Sequence, residues 1–334
     1  MPPKPLARIY LPTPANMARL ARVLAKGGLV AAPTETVYGL AADALNAKAC
    51  RAIFKAKGRP ANDPLIVHVA GIQQAETIAE FGPAALIVAK AFWPGPLTLV
   101  LPKKHGVPAI VTSGMPSVAV RMPSHRLFRK LIRLSGRPLA APSANPFGYV
   151  SPTTAEHVYR GLGKRISHIL DGGPSKIGVE STILDLRNPL RPTLLRPGAI
   201  SREALQSLLG RKILVPKRKS PPAQEAAPAP GMLERHYSPR TPITLVPKFK
   251  PGSLDKISPK EAVLLFSKPP HKTKANVFWL TSRGKPAQAA HRLFDMLRKL
   301  DDGRWHMIHA EIPPEGSALA MAIHDRLTRA AAKK

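Results

Sequence analysis

Leu139 to Thr154 reads LAAPSANPFGYVSPTT. A short apolar run, Pro138 to Ala141, meets Pro142 and breaks into Ser143, Asn145, Gly148 and Ser151. The pattern is a strand end opening into a turn, since small apolar residues fill a buried strand while Pro, Asn and Gly supply turn conformations. Such a turn exposes backbone N–H groups beside short hydroxyl and amide side chains, which suits phosphate oxygens or a ribose. The same residue types also fill ordinary surface turns. The stretch therefore takes its meaning from its surroundings.

Upstream, Met17, Leu20, Ala21 and Leu24 repeat at the spacing of one helical face over Asn16 to Lys26, and Gly27-Gly28 stop that helix. Leu29 to Ala32 reads as a short buried strand that delivers Thr34, Glu35 and Thr36 into a loop, and ligands of open α/β sheets bind past such strand ends. A second helix is expected from the Asn46 cap to Gly58, with Pro60 preventing continuation. Lys55 and Lys57 lie in its last turn and Arg59 just beyond. Those cations either complement the helix dipole or converge on a triphosphate. Pro64 to Val69 is a strand carrying His68, and a histidine in an apolar strand is either a hydrogen-bonded core residue or a site residue. Ala84 to Phe92 is helical, and Leu97 to Leu101 is a strand. In Ser117 to Arg121, alternation puts Ser117, Ala119 and Arg121 on one face. An inward arginine wants a carboxylate, which an amino-acid substrate could supply as a bidentate pair worth about 1.5 to 3 kcal/mol. Further on, Gly178 to Thr182 runs into a strand, Ile183 to Leu186, another strand ends on Arg196, and a helix runs from Ser201 to near Leu209.

Composition sets the class. The chain has 334 residues, more than one hydrophobic core normally holds, so two domains are expected. No long uncharged apolar run occurs, and the start, MPPKPLARIY, lacks a signal-peptide core, which points to a cytoplasmic protein with no membrane partner. The single cysteine, Cys50, fits a reducing compartment and a packed thiol. The balance of 51 basic against 20 acidic residues gives a net charge of +31 and suggests polyanionic partners, RNA first. With 5% aromatic residues and no aromatic–basic interleaving, a dedicated single-strand-binding fold is disfavoured.

Composition changes near Gly210. Residues 211–240 are rich in Pro and Ala with a basic cluster, so they read as a linker and a candidate active-site lid, in which His236-Tyr237-Ser238-Pro239 and Pro230-Gly231-Met232 are unusually specific. Beyond it, strands at Ile243 to Val246, Ala262 to Phe266, Val277 to Leu280 and His306 to Ile312 alternate with helices at Pro286 to Leu300 and Ala318 to Ala332. The organisation is thus a catalytic domain over 1–210, a linker over 211–240 and a small α/β domain over 241–334. There is no Walker loop, G-x-G-x-x-G, kinase signature or G-x-S-x-G elbow, and the 11 histidines show no zinc spacing.

Taken together, Pro33 to Leu40 (PTETVYGL), Lys57-Gly58-Arg59-Pro60, Pro64 to His68, Trp93 to Thr98 (WPGPLT), Val120-Arg121-Met122-Pro123, Ala141 to Asn145 (APSAN), Ser151-Pro152-Thr153 and Ser181-Thr182 form an ordered set of motifs. In that order they resemble the YrdC-like family of threonylcarbamoyl-AMP synthases over about residues 15–210. The linker motifs and Ala322 to Leu327 (AIHDRL) resemble its long two-domain branch. Departures are Pro146-Phe147-Gly148, where the family commonly has a serine before the glycine, and Ser117, where threonine is frequent.

The resemblance implies a fold of class α/β, with a YrdC-like twisted open sheet in the catalytic domain and a smaller Rossmann-like C-terminal domain. It implies synthesis of L-threonylcarbamoyladenylate and pyrophosphate from L-threonine, bicarbonate and ATP. The product would feed tRNA threonylcarbamoyladenosine modification through a downstream threonylcarbamoyl transferase complex, with tRNA itself a candidate partner. Thr34, His68, Arg121, Ala141 and Ser181 would line the threonine pocket. Lys55, Lys57, Arg59, Ser117, Ser143, Asn145, Ser151 and Arg196 would hold ATP, joined by Tyr237 from the linker. Mg²⁺ would accompany ATP without a protein-made metal site. Two alternatives remain at this point. One is a non-catalytic double-stranded RNA or tRNA-binding module, disfavoured by the intact Lys57, Arg59, Ser143 and Asn145. The other is carbamoyl transfer in hydrogenase maturation, which would bring zinc-finger segments that are absent.

Overall fold

Short apolar runs ended by Pro, Gly or Asn recur along the first two-thirds of the chain, and they assemble into one large mixed sheet. The structure is a computed structural model that describes residues 6–216, 229, 236–250, 252–271 and 273–332. The motif Pro230-Gly231-Met232 lies outside the described residues. The strands of the large sheet are β1 (Arg8–Tyr10), β2 (Val30–Pro33), β3 (Tyr38–Asp43), β4 (Ile66–His68), β5 (Leu97–Pro102), β6 (Ser117–Arg121), β7 (Leu139–Ala140), β8 (His168–Leu170), β9 (Thr182–Asp185) and β10 (Thr193–Arg196). Their order is β1-β8-β2-β3-β7-β4-β6-β5-β9-β10, with parallel and antiparallel neighbours mixed. β2 through β4 are buried at every position, which is why they read as continuous apolar runs rather than alternating ones.

The smaller sheet comprises β11 (Ile243–Val246), β12 (Ala262–Ser267), β13 (Val277–Thr281) and β14 (Ile308–Glu311), ordered β11-β14-β12-β13 and parallel throughout. Parallel strands need crossovers. Pro286–Leu300 supplies one helix between β13 and β14, burying Leu293, Phe294, Leu297 and Leu300, and Ala318–Ala330 closes the chain.

Helix ends follow the residues expected to set them. The Asn46 side chain accepts from the backbone N–H of Lys48 and Ala49, and Gly58 ends that helix at φ 65°. Strand β3 was not anticipated: Tyr38 to Asp43, after the Thr34–Thr36 loop, pairs antiparallel with β2, Pro33 facing Tyr38. Its small residues, Gly39, Ala41 and Ala42, let a strand pass through the crowded middle of the sheet; a Cβ at Gly39 would lie 3.2 Å from that of Ala141. The helices Arg126–Ser135 and Ala155–Leu162 and the strands β1 and β8 were also not anticipated.

The two sheets do not keep separate cores. One apolar cluster joins Val37, Val150 and Val179 of the first region to Leu293, Phe294, Ile323 and Leu327 of the second. Polar contacts run along the same seam: Tyr149 donates to Asp301 at 2.7 Å, and Arg298 donates to the carbonyls of Val150 and Ser151. At Gly178, φ is +84° and an added Cβ would stand 2.4 Å from the Ala290 carbonyl oxygen and 2.5 Å from the His291 Cα. Gly178→Ala is therefore expected to lower stability by about 1 to 3 kcal/mol through backbone strain and lost docking, read as an earlier urea midpoint. An unchanged midpoint would mean that the seam is soft.

Candidate functional site

The loops that leave β2 and β7, the ends of β4, β6 and β10 and the segment leading into β9 meet at one buried hollow of about 50 Å³. Thr34, Thr36, His68, Arg121, Ala141, Ser143, Arg59, Glu180, Arg196, His236 and Tyr237 line it. Thr34 fixes the first loop: its Oγ1 donates to the Val37 carbonyl at 2.6 Å and accepts from the N–H groups of Thr36 and Val37 at 3.2 Å. That staple turns Glu35 and Thr36 towards Arg121.

Arg121 at the end of β6 is buried, and its Nη2 lies 2.6 Å from Glu35 Oε1 while Nη1 donates to Thr36 Oγ1 at 3.0 Å. The expected carboxylate partner is thus supplied by the protein itself. Both ends of the Arg121 fork are engaged within the protein. Burial would raise the Glu35 carboxyl, but the Arg121 guanidinium outweighs it and holds the group below its ordinary value. His68 packs its ring 5.2 Å from that of Phe128, and burial, with Arg121 adding to it, pushes its pKa down to about 3. It is a neutral wall residue at physiological pH.

Of the three cations expected to converge, Arg59 borders the hollow and Lys57 is buried behind its wall. Arg59 bonds the carbonyls of Asp63 and Pro64 and pairs with the Asp63 carboxylate at 2.9 Å. Lys57 donates to the carbonyls of Ser143 at 2.5 Å and Asn145 at 2.7 Å, tying helix Ala47–Lys57 to the opening loop. Burial lowers the Lys57 pKa well below its ordinary value, with Arg59 contributing. Lys55 is exposed on the helix surface and is not among the lining residues, because its position in the turn points it to solvent.

The remaining expected residues fall into two groups. Asn145 anchors its own loop, its Nδ2 donating to the Pro146 and Tyr149 carbonyls at 2.8 Å. Ser181 stands behind the wall, bonded to Thr98 at 2.8 Å and accepting from Arg196 Nη2 at 3.1 Å, so it fixes Arg196. Ser151 donates to Glu180 at 2.6 Å. Ser117 lies at the far end of β6, about 13 Å from Arg121 at the usual rise per residue. On the face between them, Ala229 of the linker packs against Ile66 and Ala119.

Three polar residues of the assembly were given no role of their own from the sequence, Glu35, Thr36 and Glu180, while His236 and Tyr237 of the expected lid do border the hollow. Glu35 between two threonines past a strand carried a signal, since a carboxylate there needs a cation. Among the described residues no cluster of three or more His, Cys, Asp or Glu side chains is placed to hold a metal ion. A wider groove of about 690 Å³, lined by Ala70, Trp93, Met122 and Arg133 among others, contains none of the residues above.

Residues 22–198 match the family model described as telomere recombination, and residues 200–332 the one described as threonylcarbamoyl-AMP synthase, C-terminal domain. The chain is 43% identical over 317 residues to the threonylcarbamoyl-AMP synthase of Pyrococcus abyssi, covering 91% of each. It is 42% identical over 337 residues to that of Bacillus subtilis, covering 95% of this chain and 93% of the other. The crystal structure of Pyrococcus abyssi Sua5 complexed with L-threonine superposes with a TM-score of 0.89 at 40% identity, covering 97% and 98% of the two chains. A variant of that protein in which a histidine and the tyrosine after it are both alanine superposes at 0.88 with 39% identity.

The Glu35–Arg121 pair sets two expectations. Arg121→Ala leaves a buried carboxylate without its counter-charge and should cost about 3 to 5 kcal/mol in chemical denaturation. Because the folded Glu35 pKa lies below the ordinary value of 4.5, its contribution is fully present above that pH and is lost as pH falls through the folded value. As pH falls from above 4.5 through that folded value, the native protein should therefore lose more stability than Glu35→Gln. Parallel curves would contradict the pairing.

Proposed function

The chain belongs to the threonylcarbamoyl-AMP synthase family, and from that premise we propose how its buried hollow carries the reaction. It is a nucleotidyltransferase of tRNA modification that makes threonylcarbamoyl-AMP, with L-threonine and ATP among its substrates. Bicarbonate is the proposed third substrate. The threonine amine and bicarbonate condense to a carbamate with loss of water. A carbamate oxygen then attacks the α-phosphorus of ATP, the bond to the bridging oxygen breaks, and pyrophosphate leaves.

The observation that carries this reading is the convergence of Arg59, Arg121 and Arg196 on one small hollow beside the hydroxyls of Thr34 and Ser143. In-line displacement at phosphorus asks for positioning and charge neutralisation more than for an acid–base pair. Threonine is proposed to lie against Thr34, His68, Ala141 and Arg121, with Arg121 acting as a fixed cation. Arg59 and Arg196 are proposed to face the phosphates, and Lys57 to hold the Ser143–Asn145 loop that frames them. Mg²⁺ is proposed to ride on the phosphates. Glu35 is engaged by Arg121 and Glu180 already accepts two donors, so the nearby carboxylates do not form a cage of their own.

A hollow of about 50 Å³ is far smaller than the ~300–1,000 Å³ of ordinary ligand sites. His236 and Tyr237 of the linker form part of its wall, and Ala229 packs on the sheet face towards Ser117. The linker is therefore proposed to withdraw for ATP and return over the labile mixed anhydride, excluding water. Displacing Ala229 would open the path between the hollow and Ser117. The product is proposed to pass to a downstream transferase acting on tRNA in the cytoplasm. No described helix is long and apolar enough to cross a membrane.

Pyrophosphate release from ATP by the purified chain, with nucleotide products resolved by mass, tests the reading. Release should require both L-threonine and bicarbonate and yield threonylcarbamoyl-adenylate. Release that ignores either co-substrate, or salt-sensitive RNA binding without turnover, would overturn it.

A further inference from the structure

Glu180 is the one carboxylate among the described residues lining the hollow, and it faces a space otherwise bordered by Arg59, Arg121 and Arg196. An uncompensated anion there would repel a triphosphate. Its compensation comes from the other end of the chain. Arg326, on the helix Ala318–Ala330 of the C-terminal domain, is fully buried and places Nε 3.0 Å from Glu180 Oε2. Its Nη2 also reaches the Glu180 carbonyl at 3.4 Å, and Nη1 donates to the Pro197 carbonyl at 2.8 Å, beside Arg196. The guanidinium carbon lies 5.5 Å from the centre of the Tyr237 ring. The other Glu180 oxygen accepts from Ser151 at 2.6 Å. Arg326 thus touches Glu180 and the backbone after Arg196 and lies beside Tyr237, and it also pairs with Asp325, which Arg329 contacts as well.

We propose that Arg326 is a positioning residue of the nucleotide site, supplied by the C-terminal domain, which neutralises Glu180 and fixes it against Ser151 so that the wall facing the phosphates carries no uncompensated negative charge. The C-terminal domain is then part of the synthase site rather than an appended module. Nucleotide binding depends on its docking. This rests on the assignment of the hollow to ATP made above.

The test measures the affinity of the full chain for a non-hydrolysable ATP analogue by calorimetry, beside the KM values for ATP and threonine. Arg326→Met should weaken nucleotide binding at least about tenfold, the scale of one partly screened charge a few ångströms away, and leave the threonine KM within about twofold. Glu180→Gln/Arg326→Met removes the orphaned carboxylate and should recover most of the affinity. Arg326→Lys keeps the charge and should bind nearly as the native chain does. Thermal melting shows which variants fold. If Arg326→Met does not fold, the double variant and Arg326→Lys decide: affinity near native in both supports the proposal, and its loss in either overturns it. Native affinity in a folded Arg326→Met overturns it as well, as does a loss that persists when Glu180 is also neutral, since that marks a purely structural role. A native chain that binds the analogue but makes no threonylcarbamoyl-adenylate ends the reaction assigned above, and the affinity comparison still decides the role of Arg326.

Discussion

Buried positive charge is the constraint on which this structure depends. Lys57, Arg59, Arg121, Arg196 and Arg326 are all buried, and a cation removed from water is tolerated only when charge or hydrogen-bond acceptors meet it. Each is met, four of the five by partners distant in sequence. Lys57 reaches carbonyls of the 143–145 loop, Arg121 reaches Glu35, Arg196 reaches Ser181, and Arg326 reaches Glu180. Only Arg59 finds its partners within a few residues, at Asp63 and Pro64. These long-range pairings bring the loops after β2 and β7, the ends of β6 and β10 and the segment before β9 to one place, because any of them that strayed would strand a charge.

The same pairings explain why the two sheets behave as one assembly. An apolar cluster shared by Val37, Val150, Val179 and the helices of the smaller domain removes surface from water on both sides of the seam. Within that dry seam the Glu180–Arg326 pair is shielded from solvent, so it is worth more than a surface pair and more costly to break. Tyr237, at φ 63°, stacks 5.5 Å from Phe294 of the smaller domain while bordering the hollow. Tyr237 is thus held between the two sheets at the edge of the hollow.

Much of this was legible in the sequence, and for physical reasons. Caps and stops such as Asn46 and Gly58 act locally, and they fall where expected. The apolar runs of β2, β4, β5 and β6 and the parallel strands of the smaller sheet announce themselves by composition. β3 was not legible because YGLAAD lacks the β-branched residues that mark strands, and it is a strand only because β2 and β7 flank it. The candidate site was legible in its motifs but not in its pairings. Alternation correctly turned Arg121 inward, yet nothing local said that Glu35, brought round by the Thr34 staple, would take its fork. Lys55 and Lys57 look alike in sequence, two residues apart, and the helix sends one to solvent and the other into the core. Arg326 carried a readable sign, an arginine on the apolar stripe of Ile323, Leu327 and Ala330, since a charge on a buried face demands a partner. Which partner was a matter of tertiary structure.

The central claim is that the cation-lined hollow between the two sheets is the nucleotide site. A crystal structure of the full chain with L-threonine and a non-hydrolysable ATP analogue tests it most directly. The account predicts phosphate oxygens within hydrogen-bond distance of Arg59 and Arg196, threonine against Thr34 and Arg121 with the Glu35 pair intact, and the linker moved from the Ser117 face. A nucleotide bound elsewhere, with Arg59, Arg196 and Tyr237 arranged as they are here, would contradict it.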